Sequence, residues 1–217
     1  MSVVKILIAD HHAIVRRGLK QILAEEFEKV VIGEAVHSRE LLEKVRRQRW
    51  NVVVLDTSLP GQSWMDLLKR LKGVRPEMPV LVFSTVPESR FVARVLRAGA
   101  AGFLSKESST EELTRGVKKV MGGGRYVSPA FAQKLAFDLH SDTEKPPHET
   151  LSDREYQVMC LIAAGMSPKE IAGELSLSIK TISTYRARIL EKTRMRSNAA
   201  LIRYAIENRL DGTRPAS

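Results

Sequence analysis

VVVLDTSLPG, residues 52–61, carries the decision about the fold. Four apolar residues run without a polar break, stop at Asp56, and give way to Thr57, Ser58 and the turn pair Pro60-Gly61. A strand with one face in water alternates apolar and polar residues. A strand apolar throughout is covered on both faces, as in parallel sheets packed between helices. VLVF, residues 80–83, reads the same way. Working outward, further candidate strands fall at Lys5–Asp10, Val30–Ala35 and Gly102–Lys106, with the two central ones over Val52–Asp56 and Pro79–Ser84. Helical patterns separate them, near 13–26, 38–48, 63–73 and 88–98, and one more follows near 109–121. Five such repeats predict an α/β unit: a doubly wound, five-stranded parallel sheet with right-handed crossovers and helices on both faces.

In such sheets reactive groups lie beyond the carboxyl ends of the strands. Strands one, three, four and five are expected to end on Asp10, Asp56, Ser84 and Lys106. A carboxylate fixed at a strand end can act as nucleophile on a phosphoryl donor and form an acyl phosphate. The transfer calls for a divalent cation against the developing charge, a fixed cation for the phosphate oxygens and a hydroxyl donor. Asp10 is the candidate metal ligand, Lys106 the cation and Ser84 the hydroxyl. Each alone is an ordinary polar residue where a strand surfaces; the four types at four strand ends point to one site.

Composition bounds the rest. With 217 residues, 43% hydrophobic and 28% charged, the chain has room for two ordinary domains and the balance of a soluble globular protein. No apolar run approaches the roughly 18 residues of a membrane span, and the first run, ILIA, is too short for a secretory core, so a cytoplasmic location is expected. The single cysteine, Cys160, rules out an internal disulfide and reads as a small buried residue. A net charge of +10 is compatible with nucleic acid and with plain solubility; it is spread along the chain and decides nothing.

After MGGGRY (121–126), SPAFAQKLAFDL (128–139) reads as a short helix and SDTEKPPHET (141–150) as an exposed linker. The predicted division is residues 1–126, a joint over 127–149, and 150–217. From Leu151 the strand signal stops. Ser152–Glu155 and Ser167–Glu170 fit the helix-start capping box, the second with Pro168 in first position, and Ser178 and Ser197 can start two more helices. Four short helices are predicted near 153–164, 168–175, 179–193 and 198–209. The second and third form a helix-turn-helix, whose second helix enters the DNA major groove. With Ile182 at the centre of its buried face, Tyr185, Ile189 and Leu190 share the apolar stripe. The opposite face carries Lys180, Thr184, Ala187, Arg188 and Glu191, with Thr181 and Ser183 at its edges. Lys180 and Arg188 suit phosphates or guanine edges, Ser183 and Thr184 bases, Ala187 a thymine methyl, and Arg186 a backbone phosphate past the rim. A solvated face on a plain helical bundle, or one that binds protein, has the same composition.

IADHHAIVRRGL, VVVLDTSLPG, VLVFSTV and AGAAGFLSK together resemble the receiver domain of two-component response regulators. LSDREYQVMCLIAAGMSPKEIAGELSLSIKTISTYRARILEKTRMRSNAALIRYAIENRL resembles the LuxR-type helix-turn-helix nearly end to end. The whole chain therefore resembles NarL/FixJ-type regulators. The resemblance implies a flavodoxin-like receiver with Asp56 as phosphoacceptor, Ser84 and Lys106 as its hydroxyl and cation, and Phe103 at the aromatic switch position. It also implies Mg²⁺ held by Asp10, Asp56 and the Ser58 carbonyl, a sensor histidine kinase as partner, and a homodimer on paired DNA half-sites. The chain departs from the family at Asp10-His11-His12: His11 stands where a second acid usually touches the metal. Magnesium prefers hard oxygen ligands, so a weaker Mg²⁺ site or a softer ion is expected, with a phosphorylation-independent regulator as the rival. His12 is expected to cap or pack against the following helix. An aspartyl-phosphate hydrolase would need a second acid two residues after Asp56, where Ser58 stands, so no enzyme is expected.

Overall fold

In the computed structural model, the described residues are 3–85, 88–129, 131–133, 146–175, 177–208 and 210. The chain divides into two compact units, Met1–Phe137 and Asp138–Ser217.

Val52–Asp56 and Val80–Ser84 are the strands β3 and β4 and are buried at every residue, as their unbroken apolar runs require. They lie inside a five-stranded sheet of order β2-β1-β3-β4-β5, every pairing parallel, with β1 Val4–Ala9, β2 Val30–Ala35 and β5 Gly102–Ser105. Order and direction put the chain reversal between β1 and β3, where such sheets open a crevice at the carboxyl edge. The helices α1 Ala13–Glu26, α2 Ser38–Arg47, α3 Trp64–Val74, α4 Glu88–Arg97 and α5 Thr110–Met121 alternate with the strands. Side chains alternate across the pleat, so Ile6, Ile8, Val52, Val54, Leu81, Phe83 and Leu104 share one face. There they pack with Leu19 and Leu23 of α1 and Leu113, Val117 and Val120 of α5. Phe103 points to the other face and is fully buried.

Two features set the loops. β1 and β5 end one residue earlier than expected, at Ala9 and Ser105, so Asp10 and Lys106 are the first residues past their strands. Their backbone N–H groups still pair, Asp10 with the Ala35 carbonyl at 3.1 Å and Lys106 with that of Ser84 at 2.8 Å. The loop after β3 is clamped: Ser38 N–H donates to the Pro60 carbonyl at 2.9 Å, and Gly61 has φ of 112°. A Cβ at Gly61 would lie 2.3 Å from the Ser38 hydroxyl, so only glycine fits both the angle and the approach.

The second unit is helical: α6 Asp153–Ala163, α7 Pro168–Leu175, α8 Ile179–Lys192 and α9 Asn198–Glu207. The serines mark the starts as their chemistry predicts. Ser152, Ser178 and Ser197 accept the amide of the third residue on, and Ser167 closes a box with Glu170. The core gathers Tyr156, Met159 and Ile162 with Ile171, Leu175, Ile182, Ile189, Leu201 and Ala205. Cys160, expected to be buried, is only partly so.

The helix expected over 128–139 and the first half of the expected linker fall mainly outside the described residues. At the end of that linker Pro146, Pro147 and Thr150 are exposed as expected, and His148 is packed. Pro147–Thr150 form a turn of 3-10 helix, and buried His148 places Nδ1 2.7 Å from the Tyr204 hydroxyl of α9. Burying an imidazole needs a polar partner, and Tyr204 supplies it.

Glu155 ties α6 to α8. Its buried carboxylate accepts from the Ser152 N–H at 2.7 Å, the Ser152 hydroxyl at 2.8 Å and Lys192 Nζ at 2.7 Å. Burial pushes its pKa up, but the bonds from Lys192 and from Ser152 outweigh that and hold it below the usual carboxylate value of 4.5. A group depressed in the folded state stabilises above its unfolded pKa and loses that contribution as pH falls through the folded one. Glu155→Gln is therefore expected to lower stability near neutral pH by about 1–2 kcal/mol. In denaturant melts over a pH series, the gap to the native chain should close on acidification.

Candidate functional site

At the carboxyl edge of the sheet, three of the four predicted strand-end side chains meet directly. Lys106 Nζ lies 2.6 Å from Asp10 Oδ2 and 3.2 Å from Asp56 Oδ2. Both carboxylates are almost wholly buried, at 1% and 2% exposure. Two acids close together repel unless a cation stands between them, and the ammonium does so here. Lys106 Nζ also lies 5.8 Å from the ring centroid of Phe83 on β4.

Ser84 joins through a residue that the sequence did not single out. Its hydroxyl is 2.7 Å from that of Thr57, the residue after Asp56. β3 and β4 run in register, with Asp56 opposite Phe83, so the residues that follow them, Thr57 and Ser84, come level. Ser58, predicted to offer a backbone carbonyl, also folds its side chain back. Its N–H donates to Asp56 Oδ1 at 3.2 Å and its hydroxyl to Asp56 Oδ2.

Over the carboxylates stand two imidazoles. His11 Nδ1 is 3.6 Å from Asp56 Oδ2, and His12 Nδ1 is 3.0 Å from Asp10 Oδ1 and 4.0 Å from Asp56 Oδ2. The rings are 3.7 Å apart between centroids, and both side chains are open to solvent, at 36% and 53% exposure. Asp56, itself 2% exposed, is thus covered by polar side chains that face solvent rather than by apolar ones. His12 departs from expectation. It occupies the N-cap position of α1 but makes no side-chain cap; its ring and its N–H both turn to Asp10 Oδ1, the N–H at 2.8 Å. The start of a helix offers only N–H donors, from which the ring would have to accept, whereas the buried carboxylate is itself a charged acceptor, and the bond to it is the stronger.

A second overlooked group holds Asp10 from behind. Arg16 of α1 donates through Nη1 to the Asp10 carbonyl and through Nε to Glu34 of β2, both at 2.9 Å. Lys20 adds a 2.7 Å contact to Glu34, and the bonds from Lys20 and Arg16 hold the Glu34 carboxyl below its ordinary pKa. The only sign in the sequence is an arginine six residues past Asp10.

Asp10, Asp56 and Ser58 supply oxygen donors of the type Mg²⁺ takes; the imidazoles of His11 and His12 do not. Ligand atoms of Asp10, His11, His12 and Asp56 all lie within 4.8 Å of one another. Phe103, at the position the resemblance marks as a switch, lies wholly in the core.

In the second unit the predicted helix-turn-helix residues fall on α7 and α8. Ile182 and Ile189 are buried, Tyr185 and Leu190 half-buried. Lys180, Ser183, Thr184, Arg186, Ala187 and Arg188 are exposed, and Thr181 is half-buried beside its partner Ser178. Besides Thr181, three of these side chains already have intramolecular bonds. Ser183 donates to the Ile179 carbonyl at 3.1 Å, Thr184 to that of Lys180 at 3.0 Å, and Arg186 Nε to Asn198 Oδ1 at 2.6 Å. Arg186 therefore braces α8 against the start of α9, a role that helical periodicity does not disclose. Among the described residues no helix is long and apolar enough to cross a membrane.

Comparison with known proteins agrees over both units. The response regulator receiver domain matches residues 6–118, and the luxR family of bacterial regulatory proteins matches residues 149–205. Response regulator GacA of Pseudomonas protegens is 33% identical over 205 residues, covering 94% of this chain and 96% of that protein. Response regulator UvrY of Escherichia coli is 30% identical over 208 residues, covering 95% of each. A structure of the RcsB response regulator of Salmonella typhimurium aligns with a TM-score of 0.76 at 26% identity, over 95% of this chain and 98% of that one. RcsB bound to promoter rprA with phosphomimetic BeF3- aligns with a TM-score of 0.72 at 26% identity, over 94% and 98%. The chain belongs to the NarL/FixJ-type two-component response regulators, transcription regulators rather than enzymes, with a receiver domain followed by a luxR-type DNA-binding helix-turn-helix.

Proposed function

We propose that this regulator is switched by phosphorylation of Asp56 and then binds paired DNA half-sites as a homodimer through α8. The observation that carries the reading is the meeting of Lys106 with both Asp10 and Asp56 at one edge of the sheet. On this reading a sensor histidine kinase, or a small acyl phosphate, presents a phosphoryl group. An Asp56 carboxylate oxygen attacks phosphorus, the new P–O bond forms as the bond to the donor breaks, and the donor leaves with that electron pair. Lys106 moves its charge onto the new phosphate oxygens, and the hydroxyls of Thr57 and Ser84 turn to donate to them. Asp10, Asp56 and the Ser58 carbonyl would hold Mg²⁺, which neutralises charge during transfer. Because Thr57 and Ser84 already share a hydrogen bond, their reorientation moves the ends of β3 and β4 together.

Lys180 and Arg188 lead the DNA contacts, joined by Thr181, Ser183, Thr184, Ala187 and Arg186. The domain division proposed is a receiver over 1–126, a joint over 127–149 and a DNA-binding domain over 150–217, acting in the cytoplasm. Arg186 links the DNA-reading helix to α9, so a contact at either is felt at the other.

One feature favours a second reading, in which phosphorylation plays no part: Asp56 Oδ2 is already engaged by Ser58 and Lys106 and has His11 and His12 over it. Selection from a random duplex library, with and without acetyl phosphate and Mg²⁺, separates the two. The switch reading expects a tighter, donor-dependent complex that Asp56→Asn abolishes. Equal binding in all arms supports the second.

A further inference from the structure

The imidazoles at the pocket mouth change what the pocket can hold. Asp10 and Asp56 are buried and fixed, while His11 and His12 are exposed enough to swing. Their ligand atoms are gathered within 4.8 Å, two nitrogens and two oxygens. Bonds of about 2.0–2.1 Å to a tetrahedral ion put neighbouring ligand atoms about 3.3 Å apart. The separations here bracket that value: 3.0 Å from His12 to Asp10, 3.6 Å from His11 to Asp56 and 4.0 Å from His12 to Asp56. On Asp10, Lys106 takes Oδ2 while His12 takes Oδ1; on Asp56, Oδ2 is shared with Lys106 at 3.2 Å and with the Ser58 hydroxyl, so an ion there competes with the ammonium. Imidazole donors favour Zn²⁺ and its neighbours strongly over Mg²⁺, which dehydrates reluctantly and prefers an all-oxygen shell.

We propose that Asp10, His11, His12 and Asp56 form a four-donor site for a first-row transition ion, with Zn²⁺ as its reference member, and that occupancy withholds Asp56 from phosphorylation. Four protein ligands close a zinc site; an ion so held leaves no position for an incoming phosphoryl group and ties up the nucleophile's oxygen. The binding half stands on the donor set alone. The regulatory half rests on the phosphorylation reading above.

The test uses the full, untagged chain. Zn²⁺ is titrated against a chromophoric chelator in excess Mg²⁺, and Co²⁺ is bound in parallel for its visible spectrum. The expected result is one ion per chain, kept against a large Mg²⁺ excess, with the intense bands of four-coordinate Co²⁺. His11→Asp and His12→Ala should each weaken Zn²⁺ by more than the roughly 10–100-fold that loss of a supporting partner costs. His11→Asp should also tighten Mg²⁺, and His37→Ala, outside the cluster, should change neither. Thermal melts of each variant show that it is folded. Zn²⁺ held no better than Mg²⁺, Zn²⁺ binding that survives loss of both imidazoles, or a weak six-coordinate Co²⁺ spectrum overturns the site.

Phosphoryl uptake from acetyl phosphate with Mg²⁺, read by intact mass, is measured with and without one equivalent of Zn²⁺. Uptake suppressed by Zn²⁺ in the native chain, but not in His11→Asp, supports the regulatory half; uptake unchanged by bound Zn²⁺ overturns it. Zn²⁺ retained where no phosphate is ever taken up overturns the phosphorylation reading and leaves the metal site standing.

Discussion

Replacing Lys180 and Arg188 together by alanine is expected to weaken binding to duplex DNA by about 100-fold or more near physiological salt. Both side chains are exposed on α8, opposite the buried Ile182 and Ile189, so removing them takes nothing from the helical core. Each cation placed on the DNA backbone releases bound counterions, so the slope of log affinity against log salt should fall by about two. Fluorescence anisotropy over a salt series reads both quantities. An unchanged slope would mean that another face meets the DNA, or that the helical unit binds protein. Thermal stability should stay within about 0.5 kcal/mol, as for surface changes remote from caps and core. Arg186→Ala should behave differently, because it also releases α9 from the hydrogen bond to Asn198.

Lys106→Met carries the largest expected effect on the receiver. The ammonium is the cation between two buried carboxylates, and methionine keeps its length but removes its charge. Breaking a buried charge pair from one side costs about 3–5 kcal/mol; these acids keep polar neighbours in His11, His12 and Ser58, so about 2–3 kcal/mol is expected. In a unit of this size that lowers the melting temperature by about 5–15 °C. A divalent cation offers the lost charge back, so the deficit should shrink as Mg²⁺ or Zn²⁺ is added. The native chain should respond less. Phosphoryl transfer should stay slow even where stability is restored, because the fixed cation for the phosphate oxygens is gone. A Lys106→Met chain as stable as the native one without metal would show that the acids do not depend on the ammonium.

These outcomes depend on features of unequal legibility. The sheet was readable from β3 and β4, whose unbroken apolar runs mean burial on both faces, and from the polar residue closing each strand. The four helix starts were readable because a cap is local, a serine and an amide three residues on. The contact face of α8 followed from helical periodicity in the same way.

What stayed hidden is contact across the fold. Arg16 meets Glu34 over 18 residues, Thr57 meets Ser84 over 27, and His148 meets Tyr204 over 56. No local rule links such pairs, since the sheet order and strand register bring them together. His12 failed for a related reason. Locally it occupies a cap position, and only the buried Asp10 carboxylate, placed by β1, outbids the helix for its ring. His148 looked like part of a polar linker because prolines and charges surround it, while its burial comes from α9, far along the chain.

The most direct test of the phosphorylation switch is the intact mass of the chain after exposure to acetyl phosphate and Mg²⁺. The predicted result is one added phosphoryl group per chain, released by hydroxylamine as an acyl phosphate should be, and none on Asp56→Asn. No added mass on the native chain under any divalent ion, or equal addition to both proteins, would contradict it.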